Sequence, residues 1–129
     1  MREILFRGKR DDNLEWIYGY IYRITENQEM PFLMMKDYHG ITYPVYPDTV
    51  GQFTGLTDKN GKKIFEGDIV RLDIAGIVFN AVCKFHSGSF GLVWHYMGAD
   101  RWQAFTSICH VEYEVIGNIY DNPEMTEGE

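Results

Sequence analysis

Apolar and polar positions alternate in short bursts along this chain, and each burst ends in a cluster of Gly, Asn, Asp or Ser. Alternation over a few residues, bounded by turn formers, is the signature of strands with one face buried. Ile4 and Phe6 alternate with Glu3 and Arg7, predicting a first strand over residues 3–7 and a polar turn over 8–13. Residues 14–24 read as a longer strand with Trp16, Tyr18, Tyr20 and Tyr22 on one face. Aromatics at that spacing are expected to form core, and Trp16 is expected to be buried. Gly19, in the middle of the run, predicts a bulge or a close backbone approach. Short strands follow at 32–36 and 41–45, and residues 48–51 and 106–110 suit single helical turns.

The run Thr57-Asp58-Lys59-Asn60-Gly61-Lys62-Lys63 is the most informative local signal. Asp starts turns and Asn and Gly accept positive φ, so it predicts a hairpin joining a strand at 52–54 to one beginning at Ile64. A turn over 66–68 leads to a strand at 69–73, and Ala75-Gly76 turns into a strand at 77–86 whose Val78, Val82 and Phe85 read as buried. Ser87-Gly88-Ser89 and Gly98-Ala99-Asp100 separate strands at 90–96 and 102–105, and residues 111–120 form the last strand, with Gly117 marking a bulge. No linker or internal repeat interrupts this order. The pattern predicts an all-β protein, a single domain over residues 1–129 built as a compact barrel or sandwich. Its expected subregions are an N-terminal β unit over 1–56 and an SH3-like small barrel over 62–120.

Composition sharpens this picture. The chain is 45% hydrophobic and 16% aromatic, which favours strands over helices and supplies a core. Its net charge of −7 is unevenly placed: residues 1–10 carry +3 and residues 109–129 carry −6. An acidic chain disfavours nucleic acid, whose affinity comes largely from neutralised phosphates, although Arg7, Lys9 and Arg10 make a local basic exception. Two cysteines, Cys83 and Cys109, are too few for a disulfide framework. No run reaches signal-peptide or membrane-span length, so the expected location is the cytoplasm, away from any membrane.

The candidate chemistry is thin. Cys83, His86, His95, Cys109 and His110 are residue types that ligate zinc, but residues 83 and 86 face opposite sides of a regular strand and no paired-ligand spacing occurs. Ser87, Ser89 and Ser107 lie near histidines without a nucleophile-elbow pattern. Glu66 and Asp68 are two apart, which in extended backbone puts both carboxylates on one face, but the intervening Gly67 marks a turn. These readings assign no catalytic, cofactor or metal residue.

Several motifs together resemble one known family. Arg2-Glu3-Ile4, Phe6-Arg7-Gly8-Lys9 and Trp16-Ile17-Tyr18-Gly19 open the chain; Thr49 to Leu56, Asp58 to Lys62 and Ile64 to Val70 fill its centre; Val115 to Glu124 closes it. In that order they resemble the YopX-like proteins of phages and prophages. The resemblance implies a β-rich fold and a phage or prophage origin, and it carries over no activity, cofactor or catalytic residue. The expected function is therefore a non-enzymatic interaction or regulatory module. Its interaction candidates are Arg7, Lys9, Arg10, Trp94 and Trp102, and its expected partner is a host or phage protein, or a second copy of the chain. The competing classes are a nucleic-acid-binding small barrel, stacking bases on tyrosines and tryptophans, and a small enzyme using Glu66, Asp68 or a histidine.

Overall fold

Residues 3–25, 32–108 and 111–126 are described in the computed structural model. With 61% of the chain in strands and 8% in helical turns, the all-β class holds. The chain divides into two units, Met1–Phe53 and Thr54–Glu129.

In the first unit, β1 (Phe6–Lys9), β2 (Trp16–Thr25), β3 (Phe32–Asp37) and β4 (Thr42–Val45) make an antiparallel ladder in the order β4-β3-β2-β1, and the start of β5 (Gly51–Thr57) pairs with β1. A 3₁₀ turn over Pro47–Thr49 connects β4 to β5. β1 starts later than expected and runs through Gly8 and Lys9, so the polar turn begins after them. The far end of the ladder returns to its start: Arg10 bridges Val45, and the Tyr46 N–H donates to the Lys9 carbonyl at 2.9 Å. Four strands tied at both ends must curl, and the space inside a curl this tight suits short or flexible apolar side chains. Leu33, Met35 and Val45 fill it, with Phe6, Ile17, Ile21 and Val50 packed around them.

That curl decides the phase of β2. Ile17 and Ile21 point inward, and Tyr18, Tyr20 and Tyr22 point outward, 45%, 53% and 59% exposed. The expectation that this aromatic row is core is therefore corrected, and Trp16 is half-buried rather than buried. Gly19 marks a close approach to the β3 backbone, and the bulge in β2 falls later, between Ile21 and Arg23.

The second unit begins with the end of β5 and β6 (Lys63–Phe65). It continues as an antiparallel sheet of β7 (Asp68–Ile74), β8 (Ile77–His86), β9 (Ser89–Tyr96), β10 (Ala99–Ala104) and β11 (Tyr113–Asn118), ordered β10-β9-β8-β7-β11. β10 and β11 end the sheet and no ladder joins them, so the expected SH3-like closed barrel is corrected to an open sheet. Tight hairpins at Ala75-Gly76, Ser87-Gly88 and Met97-Gly98 have both turn residues at positive φ, the mirror-image turn whose twist matches the flanking strands. The core gathers Val70, Leu72, Ala81, Cys83, Leu92 and Trp94, with Phe105, Ile108 and Val115 beside them. In β8 the buried set is Ala81 and Cys83, whereas Val78 and Phe85 are 47% and 55% exposed. Val78 and the half-buried Val82 fall on the face opposite Ala81 and Cys83, whereas Phe85 shares their face but lies at the end of the strand, paired with Phe90.

Asp58 fastens the β5–β6 hairpin to the edge of β11. Its carboxylate accepts the N–H of Asn60 at 2.9 Å, of Lys62 at 2.9 Å and of Val115 at 2.8 Å, while the Lys59 N–H donates to the Tyr113 carbonyl at 3.1 Å. Burial alone would raise its pKa; the hydrogen bonds from Val115, Lys62 and Asn60 outweigh it and hold the carboxyl below its ordinary value.

Two predictions follow from this hairpin. Gly61 has φ +81° with open space where a Cβ would stand, so Gly61→Val costs about 1 kcal/mol or more through backbone strain alone, measured by urea denaturation. Asp58→Asn removes a charged acceptor from three amides and destabilises by about 2–4 kcal/mol at pH 7. Because the folded pKa is depressed, the wild-type advantage is complete above the unfolded carboxylate pKa of about 4 and fades as pH falls through the folded value. Urea midpoints of the two proteins should therefore converge on acidification; a constant gap would contradict the role of the charge.

Candidate functional site

Outward-facing side chains on the first unit make an aromatic row flanked by cations. The register sets Lys9 opposite Trp16, Arg7 opposite Tyr18, Lys36 opposite Tyr20 and Arg23 opposite Met34. Directly opposed residues share a face, so Lys9 and Arg7 of β1 border the row on one side and Lys36 of β3 on the other. Several of the cations rest on rings. The Arg7 guanidinium lies 4.5 Å and the Lys9 ammonium 4.9 Å from the Trp16 ring centre, and the Lys36 ammonium lies 4.3 Å from that of Tyr22. Arg10 lies 4.6 Å from the Tyr43 ring. The negative ring face attracts each charge, at about 0.5–1 kcal/mol when exposed and more when desolvated.

The expected interaction residues separate on this geometry. Lys9 sits beside the row and its ammonium also donates to the Leu14 carbonyl, whereas Arg10 lies at the Val45 bridge, over Tyr43, and grips Asp12 through Nε at 2.8 Å and Nη2 at 2.5 Å. That hydrogen bond holds the Asp12 carboxyl below its ordinary pKa and raises that of Arg10. Arg7 is 5% exposed, so its charge is held beneath the surface. Trp94 is 8% exposed in the second unit's core against Phe79, and Trp102 is half-buried with its ring 5.1 Å from His86.

Glu66 and Asp68 flank Gly67 at φ +88°, so the extended geometry that would align two carboxylates is broken between them. Asp68 is 1% exposed and accepts the Phe65 N–H at 2.7 Å, closing the turn into β7. Asn118 acts likewise at the closing motif: its Oδ1 accepts the N–H groups of Tyr120 and Asp121, and its Nδ2 donates to Asp121. Cys83 is a buried thiol, His95 contacts Asp100 at 3.1 Å on an exposed hairpin, and His39 lies against Tyr38. Cys109 and His110 fall outside the described residues. Among the described residues, no group of three or more His, Cys, Asp or Glu is placed to hold a metal ion, and no helix is long and apolar enough to cross a membrane.

Described residues of the second unit line the following depressions. A cleft of about 330 Å³ mixes Lys59 and Arg71 with Asp73, Glu112 and Glu114, with Lys59 3.7 Å from Glu114. A shallower one of about 430 Å³ is lined by Ile77, Val78, Phe79, Tyr96 and Met97.

Sequence reasoning assigned the tyrosine row to the core and passed over Arg23 and Lys36. A signal was present: the alternate positions, Ile17, Gly19 and Ile21, carry no polar atom, whereas each tyrosine carries a hydroxyl that prefers water or a partner.

Fold and surface together define an all-β protein of two units that presents an aromatic, cation-flanked sheet face. The model of the YopX protein family matches residues 5–127, and the chain belongs to that family. No curated protein matches it. Among solved structures, it is similar to protein EF1440 from Enterococcus faecalis, with 23% identity over 98% of this chain and 100% of that one and a TM-score of 0.49.

The exposure of the row is directly testable. Tetranitromethane should nitrate Tyr20 and Tyr22 in the folded protein well before Tyr113, with peptide mass spectrometry as the readout. Protection of Tyr20 and Tyr22 to the level of Tyr113 would show that the face is covered.

Proposed function

We propose that this chain is a non-enzymatic interaction or regulatory protein of phage or prophage origin, acting in the host cytoplasm by binding a protein through the outward face of β2. The observation that supports this reading is the row of Tyr18, Tyr20 and Tyr22, 45–59% exposed, with cations on both sides. Monomer surfaces seldom hold neighbouring large aromatics in water, and tyrosine, tryptophan, methionine and arginine are the residue types enriched at protein interfaces. Single-stranded nucleic acid is the second reading, favoured by the same outward tyrosines as platforms for bases. The net charge of −7 weighs against it. The catalytic alternative loses force because Asp68 is buried and engaged in a turn.

Capture from host lysate separates these readings. The wild-type chain should retain a protein after nuclease treatment, and the Tyr18→Ser/Tyr20→Ser/Tyr22→Ser variant should release it while keeping its folded circular-dichroism spectrum. Retention that disappears with nuclease would transfer the function to nucleic acid, and retention indifferent to the triple variant would remove this face from the account.

A further inference from the structure

We infer that the outward face of β2 takes an acidic peptide segment in extended conformation, supplied by a partner protein. This rests on the interaction reading above and names the chemistry of its partner.

Repeat length is the first argument. Tyr18 and Tyr20 follow one another at the two-residue strand repeat of about 6.6 Å, which is also the repeat of alternate side chains on any extended peptide. A segment laid along β2 therefore meets successive outward side chains in step, whereas a helix would meet them at a different period. The bulge between Ile21 and Arg23 brings Tyr22 and then Arg23 to the end of the row.

Charge is the second. Although the chain as a whole is acidic, the charged side chains in register beside the row are cations. Lys36 and Arg23 have no carboxylate partner among the described residues. Among the described residues, the charged side chains that the ladder sets on the row's face are Arg7, Lys9, Lys36 and Arg23, all cations, whereas Asp37 alternates to the other face and accepts the N–H groups of His39 and Ile41 at 2.9 and 3.0 Å. The groups that border the row thus carry positive charge, and carboxylates are complementary to them.

Ring occupancy is the third argument, and it favours peptide over nucleic acid. A base needs an open ring face on which to stack. Arg7 and Lys9 cover the Trp16 ring and Lys36 covers that of Tyr22, so bases stacked along the row would have to displace cations from two of its four rings. A carboxylate needs no ring face. It approaches ammonium, guanidinium and phenol hydrogens, and Lys36 is already positioned by its ring, so less side-chain freedom is lost on binding.

The test is fluorescence anisotropy at low salt with the full chain and three labelled probes: a ten-residue peptide alternating Asp and Thr, its Lys-Thr counterpart, and a twelve-nucleotide oligothymidylate. The Asp-Thr peptide should bind, weaken as salt is raised, and lose about tenfold in affinity with Arg23→Glu/Lys36→Glu. Tyr20→Ser, which leaves the charges in place, should weaken it by about threefold or more. No binding of the Asp-Thr peptide, equal binding of the Lys-Thr peptide, or affinity unchanged in both variants overturns the inference. Displacement of the peptide by oligothymidylate at lower concentration would assign the face to single-stranded nucleic acid. If a lysate protein is released by the triple tyrosine variant and yet the Asp-Thr peptide fails to bind, only the partner chemistry is wrong. If neither occurs, the interaction reading falls with it.

Discussion

A strand at the edge of a sheet leaves backbone N–H groups that need acceptors, and in the second unit a single carboxylate answers that need. Asp58 projects from the β5–β6 hairpin, accepts the Val115 N–H of β11, and turns its own loop by accepting Asn60 and Lys62. One side chain therefore sets the turn, caps the sheet edge and holds the loop beside the strand. An ionised carboxylate has enough lone pairs for all three donors, which a neutral amide does not. Its charge is sustained in a buried place because the amides aimed at it more than offset desolvation. Asp68 and Asn118 repeat the device at the entrance to β7 and the exit of β11. The polar residues of the family-like motifs are thus spent on backbone amides, and this explains how they can look chemically suggestive in sequence while performing architecture.

The first unit obeys a different constraint. Its four-stranded ladder is tied back on itself between Arg10 and Val45, and the curl gives the sheet two unequal faces. The inner one has room for Leu33, Met35 and Val45; the outer one must take whatever is too large. Three tyrosines and a tryptophan within seven residues of β2 cannot all go inside, and the strand's period sends them out together. Exposed apolar area of this kind is unfavourable unless something covers it, so the fold itself creates the demand that a partner would meet.

Local chemistry made much of this readable beforehand. Turn residues were legible one by one: Asn60-Gly61, Gly67, Ala75-Gly76 and Ser87-Gly88 all mark turns, because positive φ and Asx hydrogen bonds are properties of a few adjacent residues. The long strand 77–86 was legible to the residue as β8. What failed was the choice of face. In β8, Val78 and Phe85 looked more apolar than Ala81 and Cys83, yet the sheet buries the smaller pair, because Val78 falls on the other face and Phe85, on the same face, lies at the strand end beside Phe90. In β2, both faces are apolar enough that alternation gives no answer, and the deciding fact, the return of β4 to β1, is non-local. Barrel closure failed for the same reason: strand count and spacing are local, but whether β10 meets β11 depends on the whole sheet.

The cations of the outer face show how local and global requirements meet. A lysine or arginine near an exposed aromatic gains little from bulk solvent contact that it cannot also gain over the ring, where the charge remains partly hydrated and the ring loses apolar exposure. Placing Lys9 and Arg7 on Trp16, and Lys36 on Tyr22, therefore lowers the cost of an uncovered aromatic face in the free protein. The same placement holds charged hydrogens at fixed positions along the row, and neither Lys36 nor Arg23 has an internal carboxylate among the described residues to cancel it. A face arranged this way is tolerable in water, and under the proposed reading it would be selective in what it accepts. Apolar surface alone would attract any hydrophobic segment, whereas a fixed line of positive charge makes a basic segment pay for desolvation and repulsion together and leaves an acidic one favoured.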